Sequence, residues 1–562
     1  MPEATLKLYK VMPYCYNIAM FIRTKSSPRS NSISIQLVES YRDDGKIKQR
    51  VVSHIGTAKS EEDLLSLKKL ASVKKAELEN KQQMTNDYGL LGQLRSCIPT
   101  EKINANKLEE LQRKTIGIHD VYGKLYNQLG LSNLFSRPKQ KARLAKLLKN
   151  IVLCRIASPS SKRSSVFWLN KHAGLKLKLD HVYQMMDKID KTFRERLQKK
   201  ALAAALQVHQ GPLQVLFYDV TTLYFESFSE DSLKQNGYSK DMKFNQPQVL
   251  FSLIATNKGI PVGYEIFPGA TFEGHTLIPI LERLKSNYEA NDLIVVADRG
   301  MLNKDNLAYL DQHNVKYIVG ARLKNLSKNS QNEVLSWGKT VQGEKSATHT
   351  IKHEKSKLLC LSYRFARSKK DKADREKAIT KLKNKLKKSS NPKNMISNYG
   401  YQKYLKLEGD SKVTINKERL DSEKVWDGIT GVMTNLTNMS AGEALKQYNS
   451  LWKIEYCFRI NKSDMRIRPI YHWTPSRIQA HLAISFMAFM CVRHLEYRVG
   501  LIHKKLSPET IKENLLSVQV SEIIDTKTNK TYILPSKVSY DCKQIYKTMG
   551  LSTLQKIMVK SA

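Results

Sequence analysis

Leu213-Gln-Val-Leu216-Phe-Tyr218-Asp219-Val-Thr-Thr222 and Leu293-Ile-Val-Val-Ala297-Asp298-Arg-Gly300 decide the fold. In each, an apolar run suited to a buried strand runs into an aspartate. Working outward from them, 249–255 reads as a second strand and 261–267 as a third. The Asn257-Lys258-Gly259 turn between these two is short enough for a hairpin. A helix follows at 276–288, a fourth strand at 293–297, a helix at 302–313 and a fifth strand at 317–319. Early hairpins imply antiparallel pairing and later crossovers imply parallel pairing, so the sheet is expected to be mixed. An acid directly after a buried strand is held rigidly at the sheet edge, where ligands bind. A single such aspartate is more simply a turn cap, but two on the first and fourth strands of this order favour shared chemistry.

The rest of the chain divides around this core. Residues 1–100 read as a β-hairpin and helix region. Ile33, Ile35 and Leu37 alternate with polar residues, Asp43-Asp44-Gly45 makes a hairpin turn, and Val51 and Val52 lie on the return strand. A charged helix is expected at 61–81. Residues 101–210 read as a helical DNA-binding domain. There Ile118, Val121, Leu125 and Leu129 keep helical spacing up to Gly130. A basic helix at 142–156 breaks at Ser158-Pro159-Ser160-Ser161, and Lys162 and Arg163 open the next one. Two basic helices across a short turn have the form that enters a DNA groove, although plain helix packing gives the same pattern. Residues 211–322 form the first part of the core, 323–430 an insertion and 431–500 the second part, followed by a C-terminal region at 501–562. The insertion carries a basic amphipathic helix at 367–388, with Ile379, Leu382 and Leu386 on one stripe. This helix is expected to face DNA phosphates.

Composition points the same way. The 562 residues include 94 Lys and Arg against 52 Asp and Glu, a formal net charge of +42. Such an excess suggests a polyanionic partner, nucleic acid before an anionic membrane. A hydrophobic fraction of 41% excludes a wholly disordered basic chain. The apolar run at 482–492 falls short of the roughly 20 residues of a membrane span and reads as a buried helix. The Met-Pro-Glu-Ala-Thr start lacks a basic region followed by a secretory apolar core. Seven scattered cysteines without a CxxC pair argue against zinc or a disulfide framework and for a reducing, cytoplasmic setting.

Phosphoryl transfer on a pair of magnesium ions needs oxygen ligands, and three carboxylates are enough to hold two ions about 3.5–4 Å apart. The third acid is expected to be Glu455. On one helix, Tyr448, Glu455, Arg459 and Lys462 would share a face, and Leu451, Ile454 and Phe458 an adjacent apolar stripe. Cations beside a metal site suit a DNA phosphate. A surface Glu-Arg pair one turn apart is the plainer alternative.

This segment resembles the Tyr-Arg-Glu-Lys signature, Y-x2-R-x3-E-x6-K, of a branch of insertion-sequence DDE transposases. Tyr448, Glu455 and Lys462 fall at the family spacing, and Leu451 stands where the family has Arg. Arg468-Pro-Ile-Tyr-His-Trp473 and Arg477-Ile-Gln-Ala-His481 also look like this branch. The resemblance covers about 210–500 and implies a mixed α/β, ribonuclease H-like core with an insertion domain, preceded by a mainly helical DNA-binding region. It implies Asp219, Asp298 and Glu455 as catalytic residues and as ligands of two Mg²⁺, which Mn²⁺ could replace. Tyr448, Lys462 and Arg459 would hold DNA, joined by Arg299, Lys162 and Arg163. The implied activity is binding of the element's terminal inverted repeats, hydrolysis at its ends and joining of the 3′-OH ends to target DNA. Double-stranded DNA would be the partner, with a homodimer assembled on it in the nucleoid and no membrane. The alternatives are a metal nuclease of the same fold without strand transfer, or a non-catalytic DNA-binding relative. Within the insertion, Trp337 and Trp426 could stack on a flipped base but more simply pack, and His275 and His481 are expected to be structural.

Overall fold

The computed structural model describes residues 20–27, 30–43, 46–58, 60–80, 105–135, 138–209, 213, 215–238, 245–287, 293–301, 303–354, 356–389, 392–397, 400–408 and 412–560. The chain forms two compact units, Met1–Pro212 with Ile460–Ala562, and Leu213–Arg459.

The first unit opens with an antiparallel sheet of β1 (Met20–Ser27), β2 (Ser30–Asp43) and β3 (Lys46–Ala58), covered by α1 (Glu61–Asn80). The expected alternation holds, since Ile35 and Leu37 are buried against Ile55, Leu67 and Ala71. Val51 and Val52 are on β3 but exposed. The Asp44-Gly45 tip of the hairpin lies outside the described residues. Next come β4 (Leu108–Thr115), α2 (Gly117–Gln128), α3 (Pro138–Ala157), α4 (Lys162–His172), α5 (Leu179–Met186) and α6 (Lys191–His209). Past the end of α2, Gly130 adopts a left-handed φ of 70°, which only glycine takes without strain. Ser161 starts α4, its Oγ accepting from the Ser164 amide at 3.2 Å.

The second unit contains β5 (Val215–Tyr224), β6 (Gln248–Thr256), β7 (Pro261–Pro268), α7 (Leu277–Asn287), β8 (Ile294–Ala297), α8 (Lys304–Gln312) and β9 (Lys316–Gly320). It continues through α9 (Lys328–Thr340), β10 (Ser346–His353), β11 (Lys357–Arg364), α10 (Phe365–Lys388), β12 (Leu405–Glu408), β13 (Lys412–Ile415) and α11 (Lys417–Lys424). The last elements are β14 (Ile429–Thr434), α12 (Ala441–Asn449) and α13 (Trp452–Arg459). Among the described residues the main sheet has the order β10-β11-β14-β9-β8-β5-β6-β7. The β5-β6 and β6-β7 pairs are antiparallel, and β5-β8 and β8-β9 parallel. That is the mixed strand order of a ribonuclease H-like core.

Two features depart from the expected layout. The strand bearing Asp219 does not stop there. The β-branched Val220, Thr221 and Thr222 carry β5 on to Tyr224, paired with β6. The stretch at 323–430 is also less separate than an insertion domain, because β10 and β11 extend the main sheet through β14. Within the stretch, Leu323, Val334, Val341, Ile351, Leu359, Leu361, Tyr363 and Ile429 form one core, and distally Leu382 of α10 packs with Tyr404, Leu405 and Leu420 in another.

The chain then returns to the first unit through a π-helical turn, Ile460–Asp464, followed by α14 (Pro475–Ile502), α15 (Pro508–Leu516), β15 (Gln519–Asp525), β16 (Thr531–Pro535), α16 (Tyr540–Thr548) and β17 (Met558–Val559). A sheet of order β17-β16-β15-β4 joins the C-terminal region to the N-terminal helices. Helix α14 is long and apolar enough to cross a membrane, but 94% of its most apolar window is buried inside the unit, so it is a core helix. It packs against α2, α3, α6 and α16.

One half-buried acid in this unit gives a pH signature. Tyr546 Oη donates to Asp120 Oδ2 at 2.9 Å, yet burial outweighs that bond and pushes the carboxyl from 3.8 up to about 6. The folded chain therefore keeps a proton that the unfolded chain releases. Asp120's stabilising contribution is complete below about pH 4 and is lost as pH rises through 6. The loss is about 2 kcal/mol once partial exposure is allowed for. Asp120→Asn is expected to flatten this slope and raise stability at neutral pH, as read by urea unfolding across that range.

Candidate active site

Register brings the two aspartates together. Tyr218 of β5 pairs with Ala297 of β8 in parallel, so Asp219 on β5 and Asp298, just past the end of β8, each follow the same paired rung. Tyr218 points to one face of the sheet, where its hydroxyl donates to Thr276 Oγ1 at 2.6 Å, and strand alternation turns Asp219 to the other face. Asp219 Oδ1 accepts from the Val220 amide at 2.8 Å. Asp298 Oδ1 accepts from the Arg299 amide at 2.7 Å and from the Tyr448 hydroxyl at 3.1 Å. Both carboxylates are thus oriented by their own chain. Asp298 and Arg299 are exposed and Asp219 is half-buried.

The glutamate arrives differently from the expectation. Tyr448 and Glu455 do not share one helix. Tyr448 lies in the last turn of α12, the chain turns at Ser450 and Leu451, and Glu455 lies on α13. A constant 100° per residue therefore does not relate them. The apolar stripe is real: Leu451, Ile454 and Phe458 are buried, and α13 packs on β5 and β6. Lys453 Nζ donates to Asn257 O at 2.5 Å, tying α13 to the β6-β7 turn. Glu455 and Arg459 remain exposed, the Arg459 guanidinium lying 4.8 Å over the Tyr456 ring. Leu451, at the family's Arg position, is a packing residue. Lys462 is exposed on the π-helical turn, which belongs to the other unit.

Tyr448 couples these groups. Burial first, then the charge of Asp298 and its hydrogen bond, hold the phenol well above its usual range. Glu455 adds to this and Arg299 opposes it. Gly320 at the end of β9 makes room, because a Cβ there would overlap the Tyr448 hydroxyl and come within 2.9 Å of its Cζ. Sequence reasoning missed this glycine, whose signal was its place directly after a buried strand. Gly320→Ala is expected to push Tyr448 off Asp298 and cost about 1–3 kcal/mol by overcrowding. The penalty should vanish in a Tyr448→Ala background, a double-mutant cycle readable by urea unfolding.

An open cleft of about 900 Å³ starts at Asp298 and Arg299 and runs past Tyr448, Arg322, Arg367 and Trp426. Its far wall is less basic than expected of the insertion helix. Asp371 and Asp374 of α10 line it, and Arg375 is held by Asp427 in a bidentate pair with both contacts at 2.6 Å. Lys369, Lys370, Lys372 and Lys377 of α10 are exposed. Trp337 stacks on His349 at 5.6 Å, and both tryptophans pack on the core of Leu359, Leu361 and Ile429, as the plainer reading expected. His481 is buried and His275 exposed.

The two cations assigned to DNA from the N-terminal helices part company. Arg163 is exposed, but Lys162 is buried, its Nζ 3.3 Å from His481 Nδ1. Burial, reinforced by Arg155, drives the Lys162 ammonium well below its usual value. A lysine in that setting supports the core and reaches no phosphate.

The comparisons match both parts of the chain. The family model "Transposase DDE domain" matches residues 210–491, half of the chain, and the N-terminal domain of the IS1634 family transposases matches residues 22–85. The chain belongs to the insertion-sequence DDE transposases. No curated protein matches it. Among solved structures, a chain titled "Mos1 transposase paired-end complex with left transposon end" aligns at 14% identity with a TM-score of 0.14, covering 33% of this transposase and 60% of that chain.

In the transposase, the donor set suits magnesium only in part. Asp219 and Asp298 offer hard oxygen ligands side by side, and magnesium is commonly held by one or two carboxylates plus substrate phosphates. Among the described residues, however, no three His, Cys, Asp or Glu side chains converge on one point. The expected three-carboxylate cage is not closed in this structure. Like charges resist such crowding unless a cation lies between them.

Proposed function

We propose that this transposase binds the terminal inverted repeats of its own insertion sequence, hydrolyses the phosphodiester at each end and joins the freed 3′-OH to target DNA. The observation that carries the reading is that Asp219 and Asp298 each follow the same paired rung of β5 and β8, with Glu455 on a helix docked to β5 and β6. Asp219, Asp298 and Glu455 would be the carboxylates that hold the divalent ions. Magnesium bound there supplies the charge that activates an attacking oxygen and steadies the leaving one, and manganese suits the same ligands.

The chain's own residues set the geometry. The Val220 and Arg299 amides and the Tyr448 hydroxyl fix the aspartates. Arg299 and Arg459 would supply positive charge for the phosphates beside the scissile bond, and Lys462 would be a further DNA contact. In the first step a water oxygen bonds to phosphorus and the 3′ oxygen leaves, taking a proton. In the second, that 3′ oxygen attacks a target phosphodiester and displaces the target's own 3′ oxygen, so one bond forms for each that breaks. Two protomers assembled on two ends in the cytoplasm would carry this out.

The test uses full-length protein, DNA from the borders of its coding region and a target plasmid. Magnesium-dependent cleavage followed by joined products is expected. Cleavage without joining would make it a nuclease, and binding without either would make it a non-catalytic relative.

A further inference from the structure

The segment after the Glu-bearing helix is an unexpected part of the first unit. Between the π-helical turn and α14 the chain has no regular structure, yet its side chains alternate. Met465, Ile467, Ile470 and His472 are buried, whereas Arg466, Tyr471 and Trp473 face outward. Tyr471 is 58% exposed and Trp473 68%. The two large aromatics, two residues apart in sequence, are thus both open to a partner.

The strap is held from beneath by buried cations. Arg155 Nη1 donates to Arg466 O at 3.2 Å and to Met465 O at 3.5 Å. His481 Nε2 donates to Ile467 O at 3.2 Å, and Lys162 fixes that tautomer by approaching Nδ1. The amides of Met465 and Ile467 donate back to Ile460 O and Asn461 O, each at 2.9 Å. His472 meets the edge of Tyr183, whose face is covered by Arg477, itself paired with Asp187 at 2.8 Å. These contacts fix the backbone from which the exposed rings project, so little ordering cost remains on binding. They also give Arg155, Lys162 and His481 a role that a groove-entering helix pair would not.

We propose that the strap Arg466–Trp473 is a binding platform for unpaired DNA, with Tyr471 and Trp473 stacking on successive bases and Arg466 meeting the backbone. Aromatic faces interleaved with cations are what single strands bind, and stacking is tolerant of sequence. A duplex keeps its base faces covered, so its binding would not depend on the two rings. The inference rests on the reading of this protein as a DNA-processing transposase and adds a second, non-catalytic surface to it.

The experiment measures binding of the full-length chain to a fluorescein-labelled 20-nucleotide dT strand and to a 20-base-pair duplex, by anisotropy. Each of Tyr471→Ala and Trp473→Ala is expected to weaken dT binding by about tenfold or more. Duplex binding should change by less than about twofold, and Trp473→Phe should recover most of the loss. Unchanged dT affinity in the double variant overturns the proposal, as does an equal loss for duplex and single strand. Lost self-association with dT binding intact also overturns it and makes the strap a protein interface. If the wild-type chain binds dT with ring-dependent affinity but never cuts its own ends, the proposed function fails while the strap stands.

Discussion

Asp298→Asn is expected to reduce magnesium-dependent end cleavage by at least about a thousandfold while leaving the fold intact. The amide keeps the size of the side chain and an oxygen that can accept from the Arg299 amide and the Tyr448 hydroxyl. It loses the negative charge and the ligand strength that the metal requires. Metal stabilisation of the transition state is worth several kcal/mol, and each 1.4 kcal/mol is a factor of about ten in rate. Single-turnover cleavage of a labelled end, with circular dichroism as the folding control, checks this. Retention of more than about a tenth of the rate would remove Asp298 from the site.

Phe458→Ala should have the largest effect on stability, about 3–5 kcal/mol, because it empties a buried aromatic position. The loss also reaches the chemistry. Phe458 and Ile454 seat α13 on β5 and β6, and Glu455 rides on that helix. Cleavage by the folded fraction should therefore fall as well, although neither aspartate is touched. Urea unfolding gives the first effect, and cleavage well below the unfolding midpoint gives the second. A stability loss under about 1 kcal/mol would mean that α13 is not anchored by this face.

Much of the catalytic unit was legible in its sequence, for a physical reason. Its central strands are buried on both faces, so Val215 to Tyr218 and Ile294 to Ala297 are unbroken apolar runs, and an aspartate beside such a run is conspicuous. Strand order then followed from short turns and crossover helices. The break between α12 and α13 was not legible, because Ser450 and Leu451 are compatible with a helix, yet the Leu451, Lys453 and Ile454 amides there bond three residues back. Nor did Lys162 announce its burial. A lysine at the start of a basic helix looks solvated until His481, more than three hundred residues away, is folded against it. Gly320 and the Arg466–Trp473 strap were hidden in the same way. The glycine matters only because Tyr448 leans over it, and the strap's alternation is interrupted by Arg468 and Pro469. Long-range contacts decide what these residues do, and the local pattern shows only the strand end at Gly320 and the motif Arg468-Pro-Ile-Tyr-His-Trp473.

The central claim is that Asp219, Asp298 and Glu455 act together on a divalent ion at a DNA end. Anomalous scattering from manganese, in crystals of the full-length chain bound to its own end DNA, tests it most directly. The expected result is a manganese peak bridging Asp219 and Asp298, with a Glu455 oxygen brought within bonding distance of that ion or of a second one about 3.5–4 Å away. Manganese bound elsewhere, or an aspartate pair that stays empty while DNA occupies the cleft, would contradict it.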